Sequence, residues 1–122
     1  MTVSLSTLRG DGDAFTDGCP TRVVLDHVTS KWGVLVLAAL ADGTLRWGEL
    51  RRTVDGISEK MLASTLKTLE RDGIVVRVAH PVIPPHVDYS LTERGRSLVE
   101  AMSPLLLWVG AHAAEIVTTA SA

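Results

Sequence analysis

The residues of this chain that could carry chemistry are one cysteine and four histidines. With Cys19 as its only thiol, the 122-residue chain can form neither an internal disulfide nor a zinc site built from cysteines, which fits a reducing compartment. The histidines are scattered, and we find in the sequence no carboxylate or cysteine set that would complete a metal site around His80 and His86. A P-loop, a dinucleotide-binding glycine motif and a nucleophile with a general base are all missing. We therefore expect no enzyme activity, no metal site and no cofactor.

Cys19 precedes Pro20, and proline is favourable as the first residue of a helix because its missing N–H is not needed there. A thiol at this position lies at the positive end of the helix dipole, with Arg22 one turn away, so Cys19 is a candidate sensor of oxidants or electrophiles. Its oxidised form would be a Cys19 to Cys19 link across a dimer, a mixed disulfide with an external thiol, or a sulfenic acid. The alternative interpretation is a small, buried capping residue without reactivity.

Composition predicts one globular domain. Hydrophobic residues make up 46% of the chain and charged residues 21%, which provides for a single aliphatic core and argues against global disorder. The longest apolar run, residues 34–41, is too short to span a bilayer, and no signal peptide is evident, so we expect a soluble cytoplasmic protein with no membrane partner. The net charge is −2, but residues 44–80 contain seven basic and five acidic residues, so the charge is polarised along the chain.

The order of predicted elements is that of a winged helix-turn-helix. Residues 1–18 are polar and lack periodicity, which predicts a flexible arm, and residues 19–122 form the single domain. We expect a fold that is mainly α with a small β-hairpin wing and with N- and C-terminal dimerisation helices. In chain order, the predicted elements are a helix from Pro20, a buried helix from the cap Ser30 to Asp42-Gly43, a short strand at Thr44-Leu45, a helix at Trp47 to Thr53, a turn at Asp55-Gly56, a helix capped by Ser58 and ended by Gly73, strands at 74–79 and 87–91, and a helix at 92–117.

The helix that follows Ser58 has two different faces. At about 100° per residue, Leu62, Leu66 and Leu69 fall on one side, and a row of Lys, Ser, Thr and Arg falls on the other. Such a polar face can donate to phosphate oxygens and base edges in a major groove, although an ordinary solvated face would have the same composition.

A hairpin tip follows this helix. Between the two strands lies His80-Pro81-Val82-Ile83-Pro84-Pro85-His86, in which prolines stiffen the tip and the histidines could approach phosphate. If the chain binds duplex DNA, these two elements contain its contact residues. The predicted contacts are Arg46, Ser58, Lys60, Met61, Ser64, Thr65, Lys67, Thr68, Arg71, Arg77, His80 and His86.

The C-terminal helix predicts a homodimer. Its apolar residues follow steps of three and four, and the resulting stripe is too broad for one small domain to cover. The alternative is that this helix folds back on its own domain. Ser103-Pro104 predicts a kink or a restart, since proline removes a helical hydrogen bond. The predicted interface residues are Leu98, Met102, Leu105, Leu106, Trp108, Val109 and Ile116.

Several linked motifs, in one order, also carry a family resemblance. They are Cys19-Pro20, Lys31-Trp32, Glu49-Leu50-Arg51-Arg52, Gly56-Ile57-Ser58 with Lys60-Met61-Leu62, Leu69-Glu70-Arg71-Asp72-Gly73, Pro84-Pro85, Val87-Asp88-Tyr89-Ser90-Leu91-Thr92 and Gly95. Over about residues 19–108 the sequence resembles the HxlR-type transcriptional regulators, relatives of the MarR group. The resemblance implies a homodimeric winged-helix protein of prokaryotes that binds dyad-symmetric operators, and some relatives sense thiol stress. Trp47-Gly48 is a departure, since members often carry Phe with a polar residue there.

The sequence thus predicts a DNA-binding transcriptional regulator, most simply a repressor, whose partners are double-stranded operator DNA, a second copy of itself and an effector of unknown identity. Two alternatives stay open. One is a regulator that binds a small ligand in an apolar pocket at the dimer interface. The other is a winged-helix module that mediates protein association without touching DNA.

Overall fold

The computed structural model describes residues 16–121, apart from the side chain at position 121. The predicted flexible arm, residues 1–18, lies outside the described residues except for its last three positions. Five helices and three strands follow. They are α1 (Pro20–Val28), α2 (Lys31–Leu40), β1 (Leu45–Arg46), α3 (Trp47–Thr53), α4 (Glu59–Arg71), β2 (Val75–His80), β3 (His86–Leu91) and α5 (Glu93–Ser121).

The predicted starts of four helices are confirmed, and at each of them a side chain accepts from an N–H group that has no partner within its helix. The side-chain acceptors lie between 3.0 and 3.4 Å from the backbone nitrogens three residues later. The pairs are Cys19 Sγ with Arg22 N, Ser30 Oγ with Gly33 N, Ser58 Oγ with Met61 N, and Thr92 Oγ1 with Gly95 N. Gly56 and Gly73 supply the positive φ angles, 86° and 72°, at the turn before α4 and at its end.

The strands form one antiparallel sheet in the order β1-β3-β2. The predicted hairpin is confirmed, with Val75 opposite Leu91 at its base and His80 opposite His86 next to the loop at its tip. The short strand before α3 is confirmed with a shift of one residue, but its partner was not foreseen. Leu45 lies opposite Tyr89, and Arg46 lies opposite Asp88, so β1 ties the start of α3 to the wing.

The core lies between α2, α3, α4 and the base of the sheet. It is aliphatic apart from one tyrosine, and helix α2 crosses α4 at its centre. The prediction of a buried central helix is confirmed for the face of α2 that carries Val36, Leu37 and Leu40, whereas Leu35 on the other side is 42% exposed. The buried residues are Val28, Val36, Leu37, Leu40, Leu50, Val54, Ile57, Leu62, Leu66, Leu69, Ile74, Val75, Tyr89 and Leu91.

Helix α5 runs through Pro104 as one element, so of the predicted kink or restart at Ser103-Pro104 the restart is wrong. Proline removes only the hydrogen bond to the carbonyl of Glu100, and both residues lie on the exposed side, where water can bind that carbonyl. The Ser103 hydroxyl donates to the carbonyl of Val99 at 2.7 Å and so bonds to the preceding turn. The helix continues to Ser121, four residues beyond its predicted end.

The N-terminus of α5 is packed tightly against the junction of α4 and β2. The hydroxyl of Thr92 donates to the carbonyl of Gly73 at 2.6 Å, and the Thr92 N–H donates to the carbonyl of Ile74 at 3.0 Å. A Cβ atom at Gly95 would clash with the Ile74 carbonyl oxygen. Glycine at this position therefore permits the contact that fixes the direction of α5.

Candidate nucleic-acid interface

Helix α4 presents one buried and one free face, as the sequence predicts. Leu62, Leu66 and Leu69 are all buried in the core. On the other side, Lys60, Ser64, Lys67 and Arg71 are exposed. This row is called the basic face below. Among the residues that the structure describes, its three cations take part in no salt bridge, so their charges are available to an anionic partner.

Helix α1 covers one edge of α4, which the sequence did not indicate. His27 Nδ1 lies 2.7 Å from Asp72 Oδ2 at the C-terminal end of α4, a contact between residues 45 positions apart. A shallow groove separates the two helices, and Thr65 and Thr68 are half-buried in its wall. Of the predicted contact residues, these two therefore lie at the margin of the free surface, while Met61 is exposed at the other end of the groove.

The turn between α3 and α4 is held by its own polar contacts. Arg51 Nη1 lies 3.1 Å from Glu59 Oε1, which joins the two helices across the turn. The Ser58 hydroxyl accepts the Met61 N–H, so the oxygen of this predicted contact residue already serves as the cap of α4. Because the cap positions the first turn of α4, Ser58 acts on the basic face indirectly.

Arg46 lies between α3 and the wing. Its backbone N–H donates to Glu49 Oε1 at 2.9 Å, and its Nε lies 3.9 Å from Asp88 Oδ1. The side chain remains 57% exposed. It can therefore reach an anion from the sheet side of the motif while it offsets part of the Asp88 charge.

The wing differs from its predicted chemistry. The statement that His80 and His86 lack a carboxylate is wrong, because Asp88 lies on the same face of β3, with its Oδ2 2.8 Å from His80 Nε2 and its Oδ1 4.0 Å from His86 Nε2. The imidazole rings stack with centroids 4.6 Å apart. Both Nε2 atoms thus lie near a carboxylate. The exposed side chains of the wing include Arg77, Val76, Val78, Val82 and the fully exposed Ile83.

A second surface lies on α5. Leu105 is 64% exposed and Trp108 is 54% exposed, and Val109 and Ile116 extend the apolar patch toward the C-terminus. Two further residues of the predicted interface, Leu98 and Met102, pack against the core of the same chain. The alternative of a helix that folds back on its own domain thus holds for the first part of α5. From Leu105 onward the apolar patch is exposed among the described residues, and its role as a dimer interface stays a prediction.

Cys19 is half-buried and lies at the N-cap of α1. Its Sγ accepts the Arg22 N–H at 3.4 Å, and its backbone is extended, with Pro20 as the first helical residue. The thiol therefore lies where the unpaired N–H groups of the helix point, as predicted. This geometry fits both the sensor and the capping interpretation.

A helix-turn-helix made of α3 and α4, followed by a hairpin that pairs with a short strand before it, defines a winged helix-turn-helix protein. Residues 27–116 match the family described as HxlR-like helix-turn-helix. The chain belongs to this family, which confirms the resemblance drawn from its motifs.

Individual relatives agree with this membership. An uncharacterized HTH-type transcriptional regulator of Escherichia coli strain K12, YtfH, is 50% identical over 114 residues, which cover 93% of this chain and 90% of that protein. The solved structure of ytfH from Salmonella typhimurium, described as a transcriptional regulator, is 47% identical with a TM-score of 0.84 and covers 91% of this chain and 99% of its own. The redox regulator HypR in its oxidized form is 38% identical with a TM-score of 0.70, covering 76% and 96% respectively.

The chain is therefore a transcriptional regulator of the helix-turn-helix type. The names of its relatives describe regulators of transcription, which confirms the prediction that it is not an enzyme.

Proposed function

We propose that this protein is a homodimeric repressor that binds a dyad-symmetric operator by inserting α4 into the major groove. The observation that carries the proposal is the basic face of α4. Its leucines hold the helix on the core, and its exposed Lys60, Lys67 and Arg71 make no salt bridge with the residues that the structure describes. Long, unpaired cations beside hydroxyl groups suit phosphate contacts that position a helix and base-edge contacts that give specificity.

The wing and Arg46 would contact the backbone beside the groove. Arg77 is exposed on the edge strand β2, and Arg46 is exposed on the other side of β3. In this proposal His80 and His86 reach phosphate only if their contact with Asp88 is exchanged for one with DNA. The remaining predicted contacts, Thr65 and Thr68, would lie at the edge of the groove next to α1.

The second half of the operator requires a second copy of the chain. Residues 93–120 of α5 form a helix with a mean hydropathy of 1.2 over its most apolar stretch, and none of that stretch is buried. By length and composition alone such a helix could also cross a membrane. The chain belongs to a helix-turn-helix regulator family, and two-fold dimers of this class bind two half-sites about 34–36 Å apart. Such a dimer needs an interface, so we favour burial of this helix against a partner copy.

Selection of bound sequences from random duplex DNA tests the proposal. We expect enrichment of an inverted repeat, with binding that weakens steeply as salt rises. A stable dimer that enriches no sequence and shows no salt-sensitive DNA binding would overturn the proposal in favour of a protein-association module. Release of the selected DNA by a saturable apolar ligand would instead identify the ligand-responsive alternative.

We also propose a thiol response through Cys19, which rests on two observations. Cys19 is half-buried at a helix N-terminus, and the chain is similar over three quarters of its length to HypR, a redox regulator. With a peroxide as oxidant, the Cys19 thiol would attack one peroxide oxygen and become a sulfenic acid, while the other oxygen leaves as water or an alcohol.

A serine variant tests this response. We expect peroxide to lower the operator affinity of the wild-type dimer and to leave that of Cys19→Ser unchanged. Serine keeps a capping oxygen at the N-cap, so the variant retains α1. Equal operator affinity of the wild type before and after peroxide would reject the sensor and leave Cys19 as a capping residue.

A further inference from the structure

Two imidazoles and a carboxylate lie on one face of the sheet, next to the loop at the tip of the wing. His80 and His86 are directly opposed across the hairpin, and Asp88 follows His86 by two residues on β3. Since side chains alternate between the two faces of a strand, the register places all three on the same side. One nitrogen or oxygen atom from each residue lies within 4.8 Å of the other two.

The contacts within this group orient its atoms toward one another. Asp88 Oδ2 lies 2.8 Å from His80 Nε2, and Asp88 Oδ1 lies 4.0 Å from His86 Nε2. A zinc ion holds imidazole nitrogen at about 2.0–2.1 Å and carboxylate oxygen at about 2.0–2.2 Å, so its ligand atoms lie roughly 3–3.5 Å apart. A contraction of about 1 Å or less between His86 Nε2 and Asp88 Oδ1 would reach that spacing. The two imidazole rings, which stack with centroids 4.6 Å apart, would rotate out of the stack so that both Nε2 atoms point at the ion.

The surroundings reduce the cost of holding these ligands together. Pro81, Pro84 and Pro85 restrict the five-residue loop that joins His80 to His86, and the paired strands fix the backbone on the other side of these two residues. All three ligand residues are half-buried rather than fully solvated. Arg46 is an unfavourable neighbour, because its Nε lies 3.9 Å from Asp88 Oδ1 and its positive charge opposes that of a metal ion.

We propose that His80, His86 and Asp88 bind a divalent transition-metal ion of the zinc type, with water completing its coordination. Two imidazole nitrogens and one carboxylate oxygen form the donor set that such ions prefer, whereas magnesium and calcium prefer oxygen alone. The ion links β2 to β3 at the end of the hairpin, where backbone pairing stops. Its effect is to fix the tip of the wing relative to the sheet.

Calorimetric titration of the full-length chain with zinc chloride, without DNA and without an affinity tag, tests this site. We expect one ion per chain. The affinity for zinc should fall by at least about tenfold in His86→Ala and in Asp88→Asn. Removing a metal ligand lowers the affinity more than removing a residue that only hydrogen-bonds to a ligand. Arg46→Ala should bind zinc more tightly than the wild type, because it removes the nearby positive charge.

His27→Ala is the matched control. His27 also lies 2.7 Å from a carboxylate, that of Asp72, but no group of three that includes it occurs among residues 16–121. We expect this variant to bind zinc as the wild type does. Circular dichroism establishes that each variant retains its helices.

X-ray absorption spectroscopy of the wild-type chain with bound zinc identifies the metal ligands without any variant. Two imidazoles in the coordination sphere of zinc would support the site. Absence of saturable zinc binding, an equal loss in His27→Ala, or a coordination sphere without paired imidazoles would overturn it. Because no DNA is present, these outcomes are independent of the proposed operator binding.

Discussion

Lys60 and Lys67 are the residues on which the proposed DNA contact most depends. We expect Lys60→Ala and Lys67→Ala each to weaken operator binding by about tenfold or more, since a hydrogen bond to a charged group contributes about 1.5–3 kcal/mol. If the contact is to phosphate, the slope of log affinity against log salt should become shallower by about 0.9. Fluorescence anisotropy across a salt series measures both quantities.

Lys31→Ala serves as the control for that experiment, because it removes the same charge from α2, where the ammonium lies 4.3 Å from the centre of the Trp32 ring. It should leave the salt slope unchanged. Unaltered affinity in both α4 variants would contradict the placement of α4 in the groove.

At Gly95, the backbone of α5 lies so close to the Ile74 carbonyl that there is no space for a side chain. Gly95→Ala places a methyl group against the Ile74 carbonyl, and we expect it to lower the free energy of unfolding by about 1–3 kcal/mol, the range for overpacked sites. Urea denaturation measures this loss. At Gly48 in α3 an added Cβ would meet only Arg52 Nη1, at an ordinary 3.5 Å, so Gly48→Ala should be neutral or stabilising. Equal stability of the two variants would show that α5 can shift away from β2.

At the scale of elements, the two faces of α4 separate the residues that stabilise the fold from those that we propose contact DNA. Leu66 is buried, and the neighbouring residues Ser64 and Lys67 are exposed. We expect Leu66→Ala to lower the free energy of unfolding by about 2–5 kcal/mol, because it leaves a cavity in the core. Ser64→Ala should stay within about 0.5 kcal/mol of the wild type. The two urea midpoints test this, and a similar loss in both would mean that α4 is packed on more than its leucine face.

The elements that could be predicted from sequence are those whose signals are local. Ser58 caps α4 and Gly73 ends it through atoms no more than a few residues away in the chain. The sequence around each position is therefore enough to predict these helix ends. The pairing of β1 with β3 and the contact of His27 with Asp72 depend on how distant segments pack. The grouping of Asp88 with His80 and His86 was not predicted, because the register of a hairpin decides which side chains of its two strands share a face.

At the scale of the whole molecule, the apolar patch of α5 predicts the oligomeric state. We expect Leu105→Glu and Trp108→Glu to convert the proposed dimer into monomers, since each would bury an unpaired charge at the proposed interface. Sedimentation velocity measures the change, and operator binding should fall with it. Ile83→Glu adds the same charge at the fully exposed wing tip and should leave the dimer intact. A dimer that survives both α5 substitutions would place the interface elsewhere.

The contact between His27 and Asp72 has a mechanical consequence. Helix α1 begins next to Cys19 and, after nine residues or about 13 Å, ends beside the residue that closes α4. Two and a half turns of one short helix therefore connect the only thiol of the chain to the end of the basic face. If Cys19 is oxidised as proposed, the bulkier sulfur would displace the first turn of α1, and the contact of His27 with Asp72 would pass that movement to the C-terminal end of α4.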